Sequence, residues 1–377
     1  MLDLPETALL IGRVWRAGIG PAVVTLRNGR VIDITSRDAA TIRDLLELPD
    51  PAAYAAATPG TDIGPIPDIA VTEAAPGTTH LIAPCDLQAI KACGVTFARS
   101  MIERVIEERA GGDPSRAAEI RARVAGMIGD SLRDLVPGSP KAAEVKALLQ
   151  AESLWSQYLE VGIGPDAEVF TKAQPMAAVG WGASVGLHPI SKWNNPEPEV
   201  VLAVNSHGTI LGATLGNDVN LRDVEGRSAL LLGKAKDNNA AASIGPFIRL
   251  FDAAFTLDTV RQMTLTLTVA GEDGFTLTGQ SSMAEISRDP ADLVAQTRGR
   301  HHQYPDGFML YCGTMFSPAQ DRDGAGQGFT HHLGDVVSIA APELGTLTNT
   351  VRLSTEAPEW TFGTRALMTN LAARGLL

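Results

Sequence analysis

Two glutamates one residue apart, Glu197 and Glu199, open the apolar run "PEPEVVLAV". Side chains at i and i+2 of a strand point to the same face, so these carboxylates would sit side by side. Like charges that close repel unless a cation lies between them or one takes up a proton. A solvated strand end is one reading, and a bound divalent cation is the other. Asp218 bears on the choice: the turn "NSHG" is followed by "TILGATLGNDV", and a hairpin there would fold Asp218 back toward the pair. Three carboxylates with no histidine or cysteine beside them suit a hard, oxygen-preferring ion, Mg2+ or Mn2+, with positions left open for water or substrate.

Other constellations carry less. His301–His302 and His331–His332 are adjacent pairs in polar loops, and neighbouring side chains rarely share one ion. Glycines at 162–164 lack the strand–glycine–helix context of a dinucleotide site, and no serine elbow is visible. Arg99 and Ser100 sit where a loop enters a helix. Backbone N–H groups, the helix dipole and a guanidinium there could receive a substrate carboxylate; an N-cap serine beside a surface arginine is the structural alternative.

The elements that must position these groups belong to a chain of 377 residues, 45% apolar, with a net charge of −12. That is enough for one large core or two domains. The charge argues against a nucleic-acid partner, and no run is long and apolar enough for a membrane span. The first residues do not read as a signal peptide. Cys85, Cys93 and Cys312 form no close pair and read as reduced, buried thiols of a cytoplasmic protein. Residues 9–35 alternate around Asn28-Gly29 as a hairpin does. A short helix near 37–47 and a Pro/Gly/Ala-rich stretch then complete a small N-terminal domain with its linker, residues 1–79. Residues 80–377 would form the metal-binding catalytic domain, with helical spacing at 99–110, 115–136 and 141–160 marking an insertion of about 100–160. After residue 168 short β segments dominate, so the fold class is α+β dominated by β, a mostly antiparallel roll or barrel.

Several segments, in order, resemble the fumarylacetoacetate hydrolase superfamily. "GNDVNLRDVEG" is similar to its "NDVSxRD" signature, "CGVTFARSMIE" to the opening of its catalytic domain, "VFTKAQPMAAVG" to its lysine-bearing strand and "KAKDNNAAASIGPF" to its lysine loop. "LYCGTMF" and "GDVVSIAAPELGTLTNTV" resemble its Gly-Thr turn and closing strands. The resemblance covers about residues 85–355 and implies a β-roll holding one divalent metal, Mg2+ with Mn2+ as the variant, on Glu197, Glu199 and Asp218.

Within that superfamily, hydrolases usually carry a histidine followed three residues later by a glutamate. Here Ser100 stands at the histidine position and Glu103 remains. Serine cannot replace imidazole as a neutral general base. The long insertion, the "EPE" run and "RDVEG" resemble instead the branch that dehydrates 2-keto-3-deoxy-pentonates such as xylonate or arabinonate derivatives. That resemblance implies a small anionic 2-oxo acid as ligand, Glu168 and Lys236 as catalytic groups, and Arg99, Ser100, Glu103, Lys172, Lys236, Ser281 and Ser282 as substrate contacts. Arg222 and Asp223 read as an ion pair orienting the metal loop. Asn239 stands where hydrolases often keep an aspartate. The helical insertion is expected to act as a lid, and the protein to be a homodimer or homotetramer. A C–C bond hydrolase of acylpyruvate or fumarylacetoacetate type, and a non-catalytic sugar-acid-binding protein, are the alternative readings.

Overall fold

The computed structural model describes residues 2–75, 77–117, 119–120, 135–151, 155–316 and 318–377, with the backbone alone at 98–100. In chain order its strands begin with β1 (Leu10–Arg16), β2 (Gly20–Arg27), β3 (Arg30–Asp33), β4 (Thr61–Pro65), β5 (His80–Ile82), β6 (Ala89–Gly94), β7 (Glu168–Ala173) and β8 (Ser184–Leu187). They continue with β9 (Pro198–Val204), β10 (Ile210–Asp218), β11 (Ala242–Leu250), β12 (Thr264–Ala270), β13 (Thr276–Ser282), β14 (Phe308–Tyr311), β15 (Val336–Ala341) and β16 (Gly345–Leu353). An 11-stranded sheet runs β4-β3-β2-β1-β11-β10-β9-β14-β6-β7, with β5 pairing β1, and a 5-stranded sheet runs β13-β12-β15-β16-β8. Pairing is antiparallel except at β14·β6 and β16·β8. This is the β-dominated α+β architecture expected from the sequence.

The burial patterns explain which sheet carries the site. Every residue of β9 is buried, because the larger sheet is covered on both faces at its centre, and a strand covered twice reads as a continuous apolar run. By contrast β12 and β15 alternate between buried and accessible residues, the period-2 pattern of a sheet with one wet face.

At the N-terminus, β2 and β3 form the expected hairpin, with Asn28 and Gly29 both at positive φ; Asn-Gly tolerates that geometry better than other pairs. The stretch before residue 79 is less loose than its composition suggests. Asp50 caps a helix Pro51–Ala57 by accepting from the Ala53 N–H, with proline in the first turn, where its missing donor costs nothing. The sheet is also continuous across residue 79: β1 pairs with β11 through Leu10 and Ile11, and β5 pairs with β1.

The insertion begins with a helix Ala98–Ala110 and includes helices Pro140–Ala151 and Gln157–Ile163. Met101, Val105 and Ile106 pack with Leu149, Leu159 and Ile163 in a core of their own, which Trp193 joins. Most of the helix expected at 115–136 lies outside the described residues. Among the described residues no helix is long and apolar enough to cross a membrane.

The β9–β10 hairpin depends on one close approach. A β-carbon at Gly216 would collide with the Tyr311 ring and the Val201 side chain, and the Tyr311 hydroxyl is fixed by donation to the Ser243 carbonyl at 2.7 Å. Gly216→Ala is therefore expected to destabilise the fold by about 1–3 kcal/mol, the usual scale of overpacking a rigid core. A lowered denaturant midpoint with an unchanged slope would be the signature.

Candidate active site

The hairpin register brings the carboxylates together. Gly216 pairs with Glu199 and Asn217 with Pro198. The Asp218 N–H donates to the Glu197 carbonyl at 3.0 Å, and the Glu197 N–H donates to the Asn217 side-chain oxygen at 3.1 Å. As a result, ligand oxygens of Glu197, Glu199 and Asp218 all lie within 4.8 Å of one another, and all three residues are buried.

Cations reach this cluster from three elements. Lys236, ending a short helix Leu232–Lys236, donates to Glu197 and, at 3.2 Å, to Asp218. Lys172 on β7 stands 2.8 Å from Asp218 and donates to the carbonyls of Val219, at 3.1 Å, and Lys236. Arg104, on the helix Ala98–Ala110, donates to Glu197 and, at 2.6 Å, to Glu107. The third acid, Glu199, accepts hydrogen bonds from neutral groups among the described residues, the Gly313 N–H at 2.7 Å and the Thr314 hydroxyl at 3.3 Å.

These surroundings split the two glutamates. Burial opposes charge on both. At Glu197, Arg104 and Lys236 overcome it and hold the carboxyl down at about 2. At Glu199, burial is reinforced by Asp218 and Glu197, and the carboxyl rises well above its ordinary range. Lys236 is also buried, yet Asp218, Glu197 and Glu225 hold its ammonium above the usual lysine range. The oxygen donors and the uncompensated Glu199 fit a hard divalent cation held by Glu197, Glu199 and Asp218.

Beside the cluster lies a small cavity whose walls include Gly94, Arg104, Glu168, Glu225, Lys236 and Thr314. Glu168, at the start of β7, pairs with Gly94 across the sheet, and a β-carbon at Gly94 would overlap its carboxylate. Burial, then the charge of Glu225, pushes Glu168 up to about 7 against the pull of Arg104 and Lys236.

Residues 163–352 match the model of the fumarylacetoacetate hydrolase C-terminal family. The chain belongs to this family. Among curated members, a probable 2-keto-3-deoxyxylonate dehydratase of Haloferax volcanii is 29% identical over 202 residues, 54% of this chain and 66% of that protein. A 2-dehydro-3-deoxy-D-arabinonate dehydratase of Saccharolobus solfataricus is 30% identical over 188 residues, 49% of this chain and 58% of that protein. The chain thus spans less than two thirds of each relative's length. A solved 2-keto-3-deoxy-D-arabinonate dehydratase in its apo form superposes with a TM-score of 0.63 at 19% identity, over 92% of this chain and 99% of that one. A 2-keto-3-deoxy-D-arabinonate dehydratase complexed with magnesium and 2,5-dioxopentanoate gives 0.61 at 20% identity, over 92% and 99%. At those identities the likeness is one of fold.

Glu168 and Lys236 line one cavity with Glu197 and Asp218. Lys172 stands behind them as a brace, fully buried and engaged by Asp218 and two carbonyls. Glu103 faces Arg222 at 3.1 Å rather than the cavity. Ser281 donates to the Met315 carbonyl at 3.2 Å, and Ser282 accepts from the Ala284 N–H at 3.2 Å, so one supports the turn after Thr314 and the other caps the helical turn Met283–Glu285. The side chains of Arg99 and Ser100 lie outside the described residues. The expected Arg222–Asp223 ion pair is replaced: Arg222 turns into the core onto Glu107 at 2.7 Å, while Asp223 accepts from the Ser191 hydroxyl and the Lys192 N–H, both at 2.8 Å. Asn239 donates to the carbonyls of Ser354 and Pro358, anchoring the C-terminal segment.

Arg104, Glu107, Glu225 and Thr314 are site residues that sequence reasoning missed. Arg104 and Glu107 are spaced i, i+3 on a charged helix, a pattern that ordinarily marks a solvated face.

Because Glu199 is biased toward its protonated form until a cation arrives, metal binding is expected to release a proton and to tighten as pH rises. Titrating Mg2+ or Mn2+ calorimetrically in buffers of different ionisation enthalpy measures this directly. Glu199→Gln should abolish the release and weaken binding while the protein stays folded.

Proposed function

We propose that the protein is a Mg2+- or Mn2+-dependent hydro-lyase of 2-keto-3-deoxy sugar acids, and that its substrate is a 2-keto-3-deoxy-pentonate, converted to 2-oxoglutarate semialdehyde. The observation that carries this reading is Glu168. It is a carboxyl pushed up to about 7, sharing a cavity with Lys236 and two of the three proposed metal ligands. Proton transfer at neutral pH is most efficient from a group that titrates there. Two relatives bear dehydratase names for xylonate and arabinonate derivatives, which supports the same class. Ser100 at the position of the hydrolytic histidine adds to it.

A divalent ion on Glu197, Glu199 and Asp218 would supply Lewis-acid polarisation of a 2-oxo acid. Lys236 offers a fixed positive charge where negative charge develops on the keto oxygen as a C3 proton leaves. Ionised Glu168 accepts that proton. The C3–H electrons become the C3–C4 double bond, the C4–O bond breaks toward oxygen, and protonated Glu168 returns its proton to the departing hydroxyl. One water is lost. A later loss of a C5 proton with protonation at C3 leaves a C4–C5 enol, and loss of the enol hydroxyl proton with protonation at C4 gives the aldehyde. Lys172, by holding Asp218 and the Lys236 carbonyl, keeps the metal and lysine ends of the site in register.

Glu168 must be ionised to take the first proton, so kcat/KM is expected to rise with pH up to a limb at or below about 7, since a bound cation pulls the value down. Glu168→Gln should lose that limb and fall roughly 100-fold or more in turnover, with binding of a 2-oxo acid analogue nearly unchanged. Ser100→Ala should be milder. The assay is aldehyde formation from a panel of 2-keto-3-deoxy acids in the presence of Mg2+. A C–C cleavage product, abolished by Ser100→Ala and retained in Glu168→Gln, would replace the dehydratase reading with the hydrolase one.

A further inference from the structure

Glu225 is a second acid in the cavity wall and has no part in the proton transfers above. It ends the short helix Arg222–Glu225, is buried and lines the cavity together with Glu168, Arg104 and Lys236. Its Oε2 stands 3.3 Å from Arg104 Nη1 yet accepts no hydrogen bond among the described residues. Arg104 is meanwhile committed to Glu197 and Glu107. Glu225 and Glu197 therefore meet the same guanidinium, and Glu168 lines the same cavity.

We propose that Glu225 determines specificity for the substrate's distal end: it admits a tail that donates hydrogen bonds and bars one that carries a carboxylate. The inference rests on the 2-oxo acid reading given above and deepens it. Beyond Glu197 and Asp218 the acids of the cavity wall are Glu168 and Glu225, so the C4–C5 end of a 2-oxo acid held at the proposed metal ligands would meet them. A hydroxyl there can donate to the open Oε2 of a carboxyl whose charge is opposed by burial and favoured by Arg104. A second carboxylate would instead meet two acids in a buried space, an arrangement that rejects a ligand through repulsion rather than through lost attraction. The cations that might have received it are already engaged by Glu197, Glu107 and Asp218.

The test compares two five-carbon probes that differ in charge at the distal end, 2-oxopentanoate and 2-oxoglutarate, by calorimetric binding to the Mn2+-loaded enzyme. Wild type should hold 2-oxopentanoate at least roughly tenfold tighter, since opposed like charges cost that much or more. Glu225→Gln, shown folded by its thermal transition, should erase most of that ratio by gaining affinity for 2-oxoglutarate. With the sugar acid it should raise KM more than it lowers kcat. Wild type that binds 2-oxoglutarate as tightly as 2-oxopentanoate overturns the proposal whether or not the variant folds, and so does a folded variant with an unchanged ratio. Failure of every 2-keto-3-deoxy acid to turn over would instead overturn the dehydratase reading, and the probe ratio would still judge Glu225.

Discussion

Negative charge held away from water is the constraint on which the rest of this structure depends. Glu197, Glu199 and Asp218 are buried in the middle of the larger sheet, where an unpaired carboxylate is strongly destabilising. Compensation has to come from side chains long enough to reach inward, and each arrives on a different element: Arg104 from the first helix of the insertion, Lys172 from β7, Lys236 from the short helix before β11. Their convergence fixes how segments far apart in sequence must pack. The sheet supplies the acids, and the surrounding elements are positioned by the need to answer them.

The same constraint gives one residue type three behaviours within a few ångströms. Glu197 has a guanidinium on one oxygen and an ammonium on the other, and its charge is secured. Glu199 has a backbone N–H and a hydroxyl, which satisfy hydrogen-bonding geometry without supplying charge, so it is the acid with most to gain from a cation. Glu168 lies outside the cluster, with Arg104 and Lys236 felt only through space, and stays poised near neutrality. The proposed metal ligands and the proposed proton carrier thus differ by neighbours, not by chemistry.

This logic sets how much was legible in the sequence. The β9–β10 hairpin was readable because Glu197, Glu199 and Asp218 sit at fixed positions of a period-2 pattern around a turn, and register follows from that pattern. Lys236 and Glu168 were reached only through family resemblance, since a lysine before "DNN" and a glutamate at a strand entry are unremarkable by themselves. Arg104 and Glu107 were invisible for a physical reason. Their spacing is that of a surface ion pair, and nothing in the helix reveals that the face it marks turns toward other buried acids. Arg222 was misread for the converse reason: its sequence neighbour Asp223 looked like its partner, whereas the core supplied Glu107 and stacked the guanidinium 4.4 Å over Trp193. The helix Pro51–Ala57 was hidden by a composition that suggests a linker until the Asp-Pro start is weighed.

The buried pairs also bear on how substrate could enter. A lid made from the whole insertion would have to lift the helix Ala98–Ala110. That movement would part Arg104 from Glu197 and Arg222 from Glu103 and Glu107, leaving charges buried without partners on both sides. Breaking one such pair costs about 3–5 kcal/mol where the charge stays out of water, and this movement would break several. The first helix of the insertion is therefore wall rather than door. Its Met101, Val105 and Ile106 are committed to the insertion's own core, while its charged face is committed to the site. Motion that admits the proposed 2-oxo acid has to leave this helix seated and occur around it.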